Sequence, residues 1–152
     1  MIQETIDGFG GLPNRLERVG EIGGVAFYND SKATNVDAAV RGVLSFDGPL
    51  VLIAGGRHKG ADYGPLLRAA QGRVKRAVLL GEARELLAKA FEGFIPISRA
   101  EDMEGAVGEA FSQAERGDTV LLAPACSSFD MFSSYAHRGD AFKEAVEGLF
   151  RG

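Results

Sequence analysis

The segment Asp47-Gly48-Pro49-Leu50-Val51-Leu52-Ile53-Ala54-Gly55-Gly56 decides how the chain is read. Its middle is a continuous apolar run closed by glycines, the pattern of a strand buried on both faces of a sheet. Such a strand needs covering helices, and the flanking sequence supplies them. Upstream, Val36, Ala39, Val40, Val43 and Leu44 recur at helical spacing and stop before Asp47-Gly48-Pro49. Farther upstream, Arg18 to Gly20 and Val25 to Tyr28 flank Glu21-Ile22-Gly23-Gly24, where paired glycines between apolar residues predict an antiparallel hairpin. Downstream, Leu66, Leu67 and Ala70 suggest a short helix, followed by a strand over 76–80 and a helix over 83–91. A strand over 95–97, a helix carrying Met103, Ala106, Val107, Ala110 and Phe111, a strand over 119–123 and a last helix near 141–150 complete the series. Alternation of this kind predicts a three-layer, Rossmann-like α/β fold: a doubly wound, mostly parallel sheet with an N-terminal antiparallel hairpin.

A chain of 152 residues is in the usual range of one domain, and neither an internal repeat nor a linker divides it, so residues 1–152 read as a single domain. The 17 basic and 21 acidic residues are interspersed and sum to a net charge of −4, which leaves no cationic field to track a nucleic-acid backbone. No apolar run approaches the roughly 20 residues of a spanning helix. The N-terminus lacks the basic and then apolar regions of a signal peptide. The only cysteine, Cys126, cannot form an internal disulfide. These features predict a cytoplasmic chain with no membrane or nucleic-acid partner, and a monomer is expected.

In open sheets of this type ligands gather at the carboxyl ends of the strands, which directs attention to residues 29–35, 55–62, 81–82 and 124–130. The first loop reads Asn29-Asp30-Ser31-Lys32-Ala33-Thr34-Asn35. Thr34 or Asn35 suits the N-cap of the helix that begins near Val36. Asp30 and Lys32 are either a surface ion pair or a site, with an acid suited to ribose hydroxyls or a metal-bound water beside an ammonium suited to phosphate or carboxylate. The second loop, Gly55-Gly56-Arg57-His58-Lys59-Gly60, lets the main chain approach a ligand closely and offers Lys59 to an anion, or else is a turn with a solvated lysine. It is not a P-loop, and no Gly-x4-Gly-Lys-Ser/Thr occurs elsewhere. The third loop, Pro124-Ala125-Cys126-Ser127-Ser128-Phe129-Asp130, places two hydroxyls past a buried strand, where they either cap a helix or bind a carboxylate. No base adjoins Cys126, and two histidines and one cysteine do not argue for zinc, so neither a catalytic residue nor a metal site is assigned. Lys59, Thr34 and Ser128 together are the groups needed to hold a small dicarboxylate.

At these loops the sequence resembles the C-terminal domain of the D-glutamate-adding type of Mur ligase. The resemblance is carried, in order, by Gly11-Leu12-Pro13-Asn14-Arg15, Asn29 to Asn35, Gly55-Gly56 with Lys59-Gly60-Ala61-Asp62, Pro124 to Asp130, and Arg138-Gly139. The Asn-Asp-Ser-Lys-Ala-Thr-Asn segment separates this type from sister ligases and folylpolyglutamate synthases, which resemble each other in a His-Asn-Pro-like segment there. The resemblance implies that Lys32, Thr34, Lys59 and Ser128 lie at a D-glutamate site and that Arg15 and Asp30 reach toward a nucleotide. It also implies a reaction in which the carboxylate of UDP-N-acetylmuramoyl-L-alanine, activated with ATP and Mg2+ as an acyl phosphate, is joined to the amine of D-glutamate for peptidoglycan synthesis. In such a ligase this domain closes on a central domain by a hinge motion.

Two departures stand out. Tyr135 occupies a position near the amino-acid substrate where the family often has phenylalanine, and the family's UDP-binding and ATP-binding domains are absent from these 152 residues. The chain is therefore expected to be an amino-acid-binding fragment that does not run the reaction alone. The alternatives are a non-catalytic small-anion-binding or partner-docking module, and a dinucleotide-dependent oxidoreductase, which lacks its Gly-x-Gly-x-x-Gly signature here.

Overall fold

The computed structural model describes residues 4–6 and 12–151. The glycine-rich opening, Gly8, Gly10 and Gly11, lies outside the described residues. Twelve elements follow in the order β1 (Glu4–Ile6), β2 (Glu17–Ile22), β3 (Val25–Asn29), α1 (Val36–Leu44), β4 (Leu50–Gly55), α2 (Gly64–Ala70), β5 (Val74–Leu80), α3 (Arg84–Phe91), β6 (Ile97–Arg99), α4 (Met103–Gln113), β7 (Thr119–Leu122) and α5 (Tyr135–Arg151).

The strands form one sheet in the order β1-β2-β3-β7-β4-β5-β6. The first three are antiparallel, and β3, β7, β4, β5 and β6 are parallel. The hairpin between β2 and β3 turns at Gly23 and Gly24, whose φ values of 59° and 83° match the two-residue turn that follows a twisted hairpin most easily. The expected hairpin gains a third strand, β1, which pairs with β2 from Glu4↔Ile22 to Ile6↔Gly20.

The strand order explains the two-sided covering. From β3 through β4 and β5 to β6 the chain steps in one direction across the sheet, then returns through α4 to insert β7 between β3 and β4. Right-handed crossovers put helices of opposite stepping direction on opposite faces. Accordingly α1, α2 and α3 cover one face, burying Ala39, Val43, Leu66, Leu87 and Phe91 against Leu50, Leu52, Leu79 and Leu121. Helices α4 and α5 cover the other, burying Met103, Val107, Phe142 and Val146 against Val51, Ile53, Val78 and Leu122. Within β4 alternate side chains enter the two cores, which is why its sequence is apolar throughout.

Two expected boundaries are corrected. The sixth strand is Ile97–Arg99, not 95–97, because Ile95 closes the turn after α3 and its N–H bonds the Phe91 carbonyl at 3.0 Å, while the Pro96 carbonyl already accepts from Ala77. The last helix starts at Tyr135, six residues ahead of Ala141. Among the described residues no helix is long and apolar enough to cross a membrane.

Candidate functional site

The carboxyl ends of β3, β7 and β4 are adjacent, so the three loops singled out above meet at one edge of the sheet. Backbone hydrogen bonds lock them together. Asp30 N–H donates to the Leu122 carbonyl (2.8 Å), Gly55 N–H to Pro124 (3.0 Å), Ala125 N–H to Ala33 (3.0 Å) and Arg57 N–H to Ser127 (2.9 Å). Gly56 permits the last of these approaches, since its φ is 149° and a Cβ there would collide with the Ser127 carbonyl oxygen. Ala125 sits at φ 62°, a strained conformation for a residue with a side chain, of a kind that collects at binding loops.

Beneath the loops lies Arg138 of α5, only 2% exposed. Its Nε donates to Ser31 Oγ (3.0 Å), Nη2 to the Ser31 carbonyl (2.9 Å) and Nη1 to the Cys126 carbonyl (2.9 Å). Burial lowers its pKa to about 10, so it stays charged at neutral pH. A guanidinium with no bonded carboxylate among the described residues is thus committed to holding the first and third loops in register. Asn29 extends the network by donating to Asn14 Oδ1 (2.9 Å) and Glu17 Oε1 (3.1 Å), while its Oδ1 accepts from Ser31 N–H (3.0 Å).

Two clefts open on either side of residues 30–35. The larger, about 330 Å³, is lined by Thr34, Arg57, Lys59, Asp62, Cys126 and Ser127 among others. Asn35 caps α1 by accepting from Ala38 N–H at 2.8 Å, which leaves the neighbouring Thr34 hydroxyl free of capping duty. Lys59 and Arg57 are exposed and make no ion pair among the described residues. At the back of this cleft a hydrogen-bonded series runs from His58 Nδ1 to Tyr63 Oη (2.9 Å) and on to Cys126 Sγ (3.4 Å). Burial pushes both the Tyr63 phenol and the Cys126 thiol upward, so neither is a ready nucleophile at neutral pH.

The smaller cleft, about 180 Å³, is lined by Arg15, Leu16, Asp30, Lys32, Arg41 and Ser45 among others. Asp30 is buried, and its Oδ1 accepts from Leu16 N–H at 3.1 Å. Burial raises its pKa, opposed by that hydrogen bond and by the charges of Arg15 and Arg41. Three cations and one carboxylate around a small cleft suit a polyanion that also presents hydroxyls.

The structure therefore gathers the expected site residues into two groups. Thr34 and Lys59 share one cleft, and Arg15, Asp30 and Lys32 share the other, with Lys32 apart from Lys59. Ser128 is buried and lines neither cleft; its carbonyl accepts from Phe132 N–H at 2.8 Å. Tyr135 begins α5, and its carbonyl accepts from Ser31 Oγ at 2.7 Å. Neither Ser127 nor Ser128 caps α5; that task falls to Ser134, whose Oγ accepts from His137 N–H at 3.0 Å. Sequence reasoning missed Arg41 and gave Arg57 no role, because an exposed arginine carries no signal until a fold places it beside a cleft. A further cleft, about 740 Å³ between α4 and α5, is lined by Met131, Phe132 and Leu149 with scattered charges.

Comparison with known proteins bears on this geometry. The family model described as "Mur ligase, glutamate ligase domain" matches residues 14–126. The chain is 47% identical over 148 residues to a UDP-N-acetylmuramoylalanine–D-glutamate ligase of Myxococcus xanthus, covering 97% of this chain and 32% of that protein. It is 49% identical over 150 residues to the enzyme of the same name from Salinibacter ruber, covering 98% of this chain and 33% of that protein. Among solved structures, a murein peptide ligase from Psychrobacter arcticus matches with a TM-score of 0.65 at 14% identity, over 95% of this chain and 30% of that one, which speaks to the fold alone. The chain spans about a third of the length of the curated relatives it matches.

Proposed function

The chain belongs to the Mur ligase family as its glutamate ligase domain, and on that premise we propose that it is the single C-terminal, amino-acid-holding domain of a ligase that adds D-glutamate to UDP-N-acetylmuramoyl-L-alanine at the expense of ATP in cytoplasmic peptidoglycan synthesis. One observation carries the reading: Thr34 and Lys59, from two different loops, meet in one cleft at the ligand edge of the sheet, with Lys59 unpaired among the described residues. An ammonium and a hydroxyl placed together hold a carboxylate by charge and hydrogen bonding. Relatives named as D-glutamate ligases support the reading.

The division into two clefts then assigns two tasks. The Thr34–Lys59 cleft orients the acceptor amino acid, and Arg15, Asp30 and Lys32 reach the nucleotide from this domain. The donor set of the smaller cleft fits ATP in kind: cations for phosphate and a carboxylate for ribose hydroxyls or metal-bound water. Among the described residues no group of three His, Cys, Asp or Glu side chains could hold a metal. Magnesium, on this reading, would be held mainly with the nucleotide by the other domains of the ligase. The contribution of this domain is positioning and charge placement, delivered when it closes over the rest of the enzyme.

The test is steady-state kinetics of the complete ligase. Thr34→Ala and Lys59→Ala should raise KM for D-glutamate with little change in KM for ATP, whereas Arg15→Ala and Asp30→Asn should do the reverse. Unaltered D-glutamate kinetics in both Thr34 and Lys59 variants would remove the amino acid from this cleft. D-glutamate binding by calorimetry without any turnover in the complete protein would instead favour a non-catalytic anion-binding module.

A further inference from the structure

The loop Gly81-Glu82, at the carboxyl end of β5, lies at the same sheet edge as the three loops above, and it lines neither of the two clefts there. Its contacts nevertheless run into two of those loops. Ala83 N–H donates to the Gly56 carbonyl (2.8 Å), and Glu82 N–H donates to Asp130 Oδ2 (2.9 Å). Gly81 makes the approach possible: its φ is 80°, and a Cβ there would lie 2.6 Å from Asp130 Oδ2 and 2.9 Å from Gly56 N. The Glu82 side chain adds a third tie, its Oε1 accepting from His58 N–H at 3.2 Å. A glutamate just ahead of a helix ordinarily serves that helix, through its free amides or its dipole. Glu82 precedes α3, yet its carboxylate reaches across 24 residues to His58, and α3 has no side-chain cap. The side chain is exposed and makes no ion pair among the described residues, so neither packing nor a charge pair accounts for its direction.

What the carboxylate holds is the residue before Lys59. Among the described residues the backbone amides of Lys59, Gly60 and Ala61 have no hydrogen-bond partner, and the next bonded amide, that of Gly64, turns to Asp62 Oδ1 within its own loop (2.9 Å). Glu82 thus supplies the last backbone anchor ahead of Lys59. We propose that Glu82 is a positioning residue for the Lys59 ammonium: its carboxylate fixes the His58 amide, and its own amide, on Asp130, ties the loop after β4 to the loop after β7. The inference rests on the reading of Lys59 as the ammonium that holds the acidic amino acid; Glu82 itself lines no part of that cleft. An ammonium carried on a fixed backbone loses less freedom on taking up a carboxylate than one on a loose loop, and the difference appears as affinity. The brace asks for an acceptor oxygen and not for a charge, so the amide oxygen of glutamine meets the same need.

The experiment is steady-state kinetics of the complete ligase, with D-glutamate and ATP varied in turn, for Glu82→Ala, Glu82→Gln, Lys59→Ala and the Lys59→Ala/Glu82→Ala double variant, together with thermal melts. Loss of one exposed hydrogen bond to a charged acceptor corresponds to about a fivefold rise in KM for D-glutamate in Glu82→Ala, with kcat and KM for ATP changed by less than about twofold. Glu82→Gln should behave as the parent, and the melting points should coincide, because the side chain is exposed. The double variant should match Lys59→Ala in kcat/KM for D-glutamate, since a brace has no effect once the group it positions is gone. A parental KM in Glu82→Ala beside a raised KM in Lys59→Ala would refute the brace and leave the site standing. No change in Lys59→Ala would remove the amino-acid site, and the brace with it. Multiplying effects in the double variant, or a Glu82→Gln as impaired as Glu82→Ala, would show that Glu82 does not act through the His58 amide and Lys59, and would overturn the proposal. A lower melting point for Glu82→Ala with both KM values raised alike would mark a structural role and overturn it as well.

Discussion

Arg138 binds Ser31 twice, through Nε to the side-chain oxygen at 3.0 Å and through Nη2 to the carbonyl at 2.9 Å, although 107 residues separate them in the chain. Its remaining bonded nitrogen, Nη1, holds the Cys126 carbonyl, so one side chain couples the loop after β3 to the loop after β7. The loop after β3 walls both clefts and the loop after β7 walls the Thr34–Lys59 cleft, so the geometry of each depends on a residue that lines neither.

Arg138→Lys should consequently behave as a severe change. Lysine keeps the charge but replaces a planar fork by a single point of donation, leaving at least one buried carbonyl without its partner. The expected loss of stability is about 3 kcal/mol. Urea titration checks it, with a lower midpoint at unchanged slope. A midpoint equal to that of the parent would show that water replaces the fork at no cost.

The glycine after Arg138 is constrained by the same packing. A Cβ on Gly139 would run into Asn14 Oδ1 and lie 3.0 Å from Asn29 Nδ2, inside the network that anchors the first loop. Gly148, on the same helix, has nothing within 4 Å of such a Cβ. Glycine to alanine within a helix ordinarily stabilises by about 1 kcal/mol. Gly148→Ala should show that gain, whereas Gly139→Ala should lose about 2 kcal/mol because overpacking outweighs it. Thermal melts of the two variants should move in opposite directions; a rise in both would contradict the packing described at Asn14.

What could be read from sequence, and what could not, follows the same physical line. The apolar run of β4 announces itself because both its faces are buried, and α1 because its inward stripe is hydrocarbon. The first two turns of α5 carry no apolar signal, because their buried residues are Arg138 and Gly139, held by hydrogen bonds and close contact rather than by an apolar stripe. Strand β1 is three residues long, below the length at which alternation shows. Thr34 and Lys59 were legible as loop residues at strand ends. The separation of Lys32 from them was not, because consecutive residues of one loop face different clefts only once the chain path is set.

Asp30 carries a pH signature. Burial raises its pKa above the ordinary 3.8 despite the Leu16 N–H and the charges of Arg15 and Arg41. A carboxyl whose folded pKa exceeds its unfolded one weakens the fold when ionised. The penalty is absent below the unfolded pKa, grows as pH rises toward the raised folded value, and is full above it. Asp30→Asn, which keeps an oxygen for Leu16 N–H, should therefore be more stable than the parent at neutral pH. The advantage should vanish below a pH of 3.8. Denaturant midpoints of both proteins across that range decide the matter; a constant difference would mean that ionisation of Asp30 is not its origin.

Cys126 gives the last prediction. The thiol is 3% exposed, and burial, with a smaller push from Asp130, raises its pKa above the ordinary value against the opposing hydrogen bond of Tyr63 and charge of Arg138. Only the thiolate attacks an alkylating or disulfide reagent, so both low exposure and a raised pKa slow that reaction. Labelling in the folded protein has to wait for the loop after β7 to open, and that opening breaks the bonds from Arg138 Nη1 to Cys126 and from Arg57 N–H to Ser127. The rate for the native protein should be at least about a hundredfold below that of the urea-unfolded chain. Weakening the clamp should accelerate it, so Arg138→Lys should label faster than the parent under identical native conditions, and Gly148→Ala, far from the loop, should not. Native labelling as fast as in the unfolded chain would show that the loop after β7 does not hold Cys126 closed.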